Sequence, residues 1–126
     1  MRKNLSDQFY DFHKFEKLAI NTVVKRLHAT DFMMLEGTLD SEEITILKTE
    51  LGTVTLLVTA KPITLDLITD YLWAISLRTY EEFDAAILIS SHPYEGMVKE
   101  IPHLYDLGDF ILDLVDRDEL LYMAIE

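Results

Sequence analysis

The residues best suited to chemistry lie at one end of a predicted β-hairpin. Glu43 opens the first arm, and Thr59 and Lys61 close the second, so that one polar face carries a carboxylate, a hydroxyl and an amine. Carboxylate oxygens bind hard divalent cations, and a neighbouring lysine stabilises an attacking water or developing negative charge. The pattern predicts a site able to hold Mg²⁺ and to place a water against a phosphodiester.

The hairpin itself is predicted from two runs of β-branched and aliphatic residues, 43–49 and 53–61. A three-residue loop with Gly52 in the left-handed conformation brings the apolar faces of the two arms together and sets Glu43 opposite Thr59. A two-residue loop sets apolar side chains opposite polar ones, so we expect the longer loop. The competing register places Glu42 beside Lys61.

Helices and strands are expected to alternate around this hairpin. Apolar residues recur at helical spacing, as in Phe12, Phe15, Ala19, Val23 and Leu27, and then in Leu65, Ile68, Leu72 and Ile75, with Tyr71 and Trp73 widening the second face. The predicted helices cover residues 6–28 (capped by Ser6), 64–78, 94–101 and 116–126, and the other strands cover 31–35 (ended by Gly37), 85–89 and 110–115. A helix that joins two strands, twice in succession, implies parallel crossovers. We therefore expect a single α/β domain over residues 1–126, with a mixed central sheet flanked by helices on both faces.

Composition narrows the classes of partner. The 126 residues suffice for one core, and 23 acidic against 11 basic residues give a net charge of −12. That charge disfavours broad nucleic-acid binding and favours a protein partner or a second copy of the chain. There is no cysteine for disulfides or thiolate metal sites, and no apolar run approaches the ~20 residues of a membrane span. We expect a cytoplasmic protein without membrane contact.

The order of elements, with an acid on the first hairpin arm and a lysine closing the second, resembles the restriction-endonuclease-like fold of the PD-(D/E)xK superfamily. The similarity is greatest to the catalytic domain of Mrr-type restriction endonucleases and spans roughly residues 15–125. It is carried by Phe15-Glu16-Lys17-Leu18, Leu57-Val58-Thr59-Ala60-Lys61, Ala85-Ala86-Ile87-Leu88-Ile89-Ser90, Ile111-Leu112-Asp113-Leu114-Val115-Asp116 and Glu119-Leu120. The resemblance implies a catalytic set of Glu16, Glu43, Thr59 and Lys61, with Glu43 as the metal ligand.

The sequence departs from that family at two positions of the motif. Thr59 replaces the acid or glutamine that precedes the lysine, and Glu43 replaces an aspartate, with Asp40 or Glu42 in that role if the register slips. A threonine hydroxyl is a poor Mg²⁺ ligand. We therefore expect a degenerate nuclease-like domain, regulatory or binding in role, in DNA handling or defence, with no resident cofactor.

Two other functions fit the same residues. One is an active Mg²⁺-dependent DNA endonuclease, a phosphodiester hydrolase that uses Glu16, Glu43 and Lys61. The other is an acidic protein-interaction module with no nucleic-acid role, in which Lys61 and both glutamates are ordinary solvated charges. The four histidines lack metal-ligand spacing, and the carboxylates between Asp106 and Glu119 are expected to form a solvated face.

Overall fold

A computed structural model of the chain describes residues 12–39, 42–50, 52–78, 83–93 and 111–125. The elements in these ranges are α1 (Phe12–Leu27), β1 (Asp31–Leu39), β2 (Glu42–Thr49), β3 (Gly52–Thr59), α2 (Leu65–Arg78), β4 (Ala85–Ser90), β5 (Ile111–Val115) and α3 (Arg117–Ile125). The Ser6 cap, the helix expected over 94–101 and Phe110 lie outside the described residues. None of the helices in these ranges has the length and apolarity needed to cross a membrane.

The five strands form one mixed sheet in the order β1-β2-β3-β4-β5. β2 runs antiparallel to both β1 and β3, whereas β4 joins β3 and β5 joins β4 in parallel. The α/β class, the hairpin and the parallel addition of residues 85–90 are confirmed. β1 does not end at Gly37 as predicted but continues to Leu39, with a shift of register between Met34 and Thr38.

Helices cover both faces of the sheet, as predicted. α2 packs on one face, where Ile44, Leu57, Leu88 and Leu114 are buried beneath Ile68 and Tyr71. α1 and α3 pack on the other, where Leu47, Leu56, Val58 and Ile89 are buried beneath Phe15, Ala19, Val23 and Leu120. Because both faces are covered, polar and apolar side chains do not alternate clearly along the strands, and the sequence pattern does not identify the two faces.

The register of the hairpin differs from the prediction by one residue. Ile46 pairs with Thr55 instead of Leu56, and Thr49 pairs with Gly52. The loop therefore contains two residues, and the predicted three-residue loop is wrong.

The error arises from the assumption that one face of the hairpin is polar. Thr45 and Thr55 are as buried as their apolar neighbours, so matching apolar with apolar residues does not identify the native pairing. The competing register, with Glu42 beside Lys61, is not formed either, since the observed pairs shift in the opposite direction. The positive φ expected at Gly52 is confirmed, at 113°.

The buried stripe of α2 includes a residue that the spacing had placed at its margin. Leu65 and Trp73 are exposed, whereas the Tyr71 ring is fully buried and its hydroxyl lies 2.9 Å from Thr55 Oγ1 and 3.2 Å from the carbonyl oxygen of Ile87. Burial raises the pKa of Tyr71 well above its usual value, and the two hydrogen bonds oppose that rise. Among residues 65–75 of α2, the buried side chains are Leu67, Ile68, Tyr71 and Ile75.

Candidate functional site

The predicted catalytic residues of the second hairpin arm lie where two parallel strands end. Thr59 and Ser90 form the last pair between β3 and β4, and the chain bends directly after each of them. We call Thr59, Lys61, Ser90 and His92 the carboxyl-edge cluster. The carboxyl ends of parallel strands are where ligand sites of α/β proteins usually form.

Backbone hydrogen bonds occupy both hydroxyls of the carboxyl-edge cluster. Thr59 Oγ1 accepts the N–H of Lys61 at 3.0 Å. Ser90 Oγ donates to the Lys61 carbonyl at 2.5 Å and accepts the N–H of His92 at 3.0 Å. Both hydroxyl side chains are fully buried. Of these contacts, the one between Ser90 and the Lys61 carbonyl joins the end of β4 to the segment that follows β3, whereas the other two are local.

This geometry decides what the cluster can do chemically. His92 approaches Ser90 through its backbone nitrogen, not its imidazole, and the serine proton is directed at a carbonyl oxygen. Nucleophilic catalysis needs a base that accepts the hydroxyl proton, so Ser90-Ser91-His92 does not form such a pair. The side chains of the cluster that are exposed at the carboxyl edge are those of Lys61 and His92.

The structure does not bring Thr59 together with Glu16. Leu57 packs beneath α2 and Val58 beneath α1, so alternation along β3 places Thr59 on the α2 face. Glu16 is half-buried on α1, which covers the opposite face. Two members of the predicted catalytic set therefore belong to different sides of the sheet.

The observed register also departs from the predicted pairing of Glu43 with Thr59. The observed pairs between β2 and β3 run from Thr49 with Gly52 to Ile44 with Leu57, one residue away from the register that sets Glu43 opposite Thr59. The predicted Glu43–Thr59 pair is therefore wrong. The side chains of Glu42 and Glu43 lie outside what the structure describes. Among the described residues, no group of three His, Cys, Asp or Glu side chains could hold a metal ion.

Sequence reasoning missed a second polar arrangement at this edge. Asp116 was expected on a solvated acidic face but is 9% exposed, and its Oδ1 accepts the N–H of Glu119 at 2.9 Å. Glu119 Oε1 in turn accepts the N–H of Asp116 at 3.4 Å, which completes a capping box at the start of α3. The signal was present as an acid followed three residues later by a glutamate, just before Leu120. Asp116 thus caps α3.

Two concave regions lie elsewhere, on the face covered by α1 and α3. One, of about 340 Å³, is bounded by Leu27, Val54, Ala85, Ile87 and Ile111, with Asp84 and Asp113 at its margin. The other, of about 250 Å³, lies between the ends of α1 and α3. The first marks the amino ends of β3, β4 and β5, so it lies at the opposite end of the strands from the carboxyl-edge cluster.

Comparison with known proteins leaves the family of the chain open. Neither protein-family models, nor curated proteins, nor solved structures gave a match. The function must therefore be argued from the residues of the chain and from their contacts.

Proposed function

We propose that this chain is a nuclease-like domain whose metal site has degenerated, and that it acts by binding a partner, in a regulatory role in DNA handling or defence. The observation that carries the proposal is the environment of Thr59. It stands where the resemblance calls for an acid or amide ligand, yet its side chain is fully buried and its hydroxyl accepts the N–H of Lys61. To reach a hydrated cation, that hydroxyl would give up its hydrogen bond to the N–H of Lys61.

The arrangement of the strands supports the nuclease-like part of the proposal. An antiparallel hairpin followed by parallel strands, with helices on both faces, is the order of elements on which the resemblance rests. Lys61 follows β3 and is exposed at the carboxyl edge, where that resemblance requires a lysine.

The degenerate part follows from the energetics of a missing ligand. Removing one well-placed electrostatic partner costs ~3–4 kcal/mol of transition-state stabilisation, by analogy with the loss of an oxyanion donor. That loss lowers the rate by two to three powers of ten, at roughly 1.4 kcal/mol per decade. The net charge of −12 further slows encounter with a polyanionic substrate at low salt.

Cleavage assays test the expected inactivity. Purified protein and a Lys61→Ala variant are incubated with plasmid and single-stranded DNA in Mg²⁺ or Mn²⁺. We expect neither protein to cut. Metal-dependent cleavage that disappears in the variant would overturn the proposal in favour of an active endonuclease, whereas equal cleavage by both would indicate a contaminant.

A metal-binding variant tests the origin of the site. Thr59→Glu restores a carboxylate at the end of β3, and Thr45→Glu, at another buried threonine of the sheet, is its matched control. Both changes destabilise the fold, so the measurement is the rise in melting temperature on adding Mn²⁺. We expect Mn²⁺ to stabilise the Thr59 variant alone.

An acidic interaction module is the second candidate, favoured by the excess of 23 acidic over 11 basic residues. An interaction module predicts that Mn²⁺ raises the melting temperature of neither glutamate variant. That result would favour the interaction module over a nuclease-like origin.

A further inference from the structure

The exposed side of α1 carries a positive stripe on an otherwise acidic protein. Lys14, Lys17, Asn21 and Lys25 are all exposed, and at 100° per residue they fall within a sector of ~80°. From Lys14 to Lys25 the stripe rises ~17 Å along the helix axis. α1 holds four of the 11 basic residues of the chain and one of its 23 acidic residues.

Helix stability does not account for this stripe. Lys25 lies in the last turn, where a cation favours the helix dipole, but Lys14 lies in the first turn, which has no acidic residue and where a cation is unfavourable. Lys14 and Lys17 are three residues apart, a spacing at which like charges repel. Among the described residues, no ion pair engages Lys14, Lys17 or Lys25. A bound anion would relieve each of these costs.

A concave region continues the stripe at the end of α1. The cavity of about 250 Å³ is lined by Thr22, Lys25, Arg26, His28, Met123 and Ala124. Arg26 Nη2 donates to the carbonyl oxygen of Met123 at 3.1 Å, which holds the guanidinium against α3. The stripe therefore ends in a basic pocket large enough for a carboxylate side chain.

We propose that the α1 stripe and this pocket bind a short Asp/Glu-rich segment of a partner protein. Charge complementarity selects an anion, and a second copy of the chain is a poor occupant because a two-fold contact would set the positive stripe against itself. A nucleic-acid backbone continues beyond the ~17 Å stripe, where the net charge of −12 of the chain repels it. An acidic segment as short as the stripe avoids that repulsion. This inference does not depend on a nuclease-like origin.

Fluorescence anisotropy with a labelled decaglutamate peptide tests the proposal on the full chain. We expect saturable binding at low ionic strength that weakens as salt is added. Each exposed ion pair contributes modestly to the free energy of binding. A single Lys→Glu change at position 14, 17 or 25 should therefore weaken peptide binding ~2- to 5-fold or more, and the triple change should abolish it.

A gain-of-binding pair controls for unfolding and for net charge. Asn21→Lys adds a charge at the centre of the stripe, and Thr69→Lys adds the same charge on the exposed side of α2. We expect Asn21→Lys to tighten peptide binding ~2- to 5-fold and Thr69→Lys to leave it unchanged. Equal tightening by both, or no saturable binding by the unaltered chain, would overturn the proposal. Tighter binding of an oligodeoxynucleotide of the same formal charge would also overturn it and identify the occupant as nucleic acid.

Discussion

Replacing Gly52 with alanine should weaken the junction between the hairpin and the parallel half of the sheet. The φ of Gly52 is 113°, a region that costs other residues ~1–3 kcal/mol. A Cβ at this position would collide with Asp84 Oδ2 and lie 2.7 Å from Asp84 Cγ, so the carboxylate must move. The same oxygen, Asp84 Oδ2, accepts the N–H of Thr53 at 2.9 Å. A hydrogen bond to a charged group contributes ~1.5–3 kcal/mol, and this exposed bond contributes no more than that. Together the two effects predict a loss of about 3 kcal/mol.

A double-mutant cycle separates the two causes. Asp84→Ala removes both the collision and the bond to Thr53, so Gly52→Ala should cost about 1–2 kcal/mol less in that background than in the unaltered protein. Urea denaturation, with the slope checked for constancy, measures all four free energies of unfolding. An equal cost of Gly52→Ala in both backgrounds would refute the steric reasoning, and a cost below about 1 kcal/mol would refute the backbone reasoning as well.

Two further changes test buried polar contacts. Because burial raises the pKa of Tyr71, the folded protein holds this proton more tightly than the unfolded chain, so stability should be full below pH ~10 and fall as pH rises beyond it. Urea denaturation at alkaline pH should show this decline, and an equally steep decline in Tyr71→Phe would contradict its assignment to Tyr71. Asp116→Ala removes the acceptor for the Glu119 N–H and should cost ~0.5–2 kcal/mol, whereas Asp118→Ala, exposed in the same turn, should cost under ~0.5 kcal/mol. Equal losses for the two aspartates in urea denaturation would show that the capping box contributes nothing.

Periodicity predicted the first two helices because each of them buries apolar residues at helical spacing. In α1 the predicted stripe is the observed one, with Phe15, Ala19 and Val23 buried. In α2 nine of the 14 positions are apolar or aromatic, so spacing alone could not decide that Tyr71 is buried and Leu65 exposed. The tyrosine is buried because its hydroxyl finds Thr55 on β3, a partner 16 residues away.

The same contact explains the failure of the register prediction. The predicted register assumes a hairpin with one polar face, whereas Thr55 is fully buried and bonded to Tyr71 of α2. A threonine can be buried in a sheet when its hydroxyl has a partner, and that partner comes from a different element. Local alternation therefore predicted that a hairpin exists but could not fix its register.

Thr59 shows why a motif position does not define a site. The spacing of the motif identifies the residue two positions before Lys61, which is Thr59. A hydroxyl at that position can bind a ligand, or it can hydrogen-bond to the backbone where the chain turns at the strand end. Here both hydroxyls bond to the backbone. Thr59 accepts the N–H of Lys61 and Ser90 donates to its carbonyl, so two buried side chains satisfy both backbone groups of Lys61. The backbone of Lys61 is thus held at the edge of the sheet by the hydroxyls of Thr59 and Ser90.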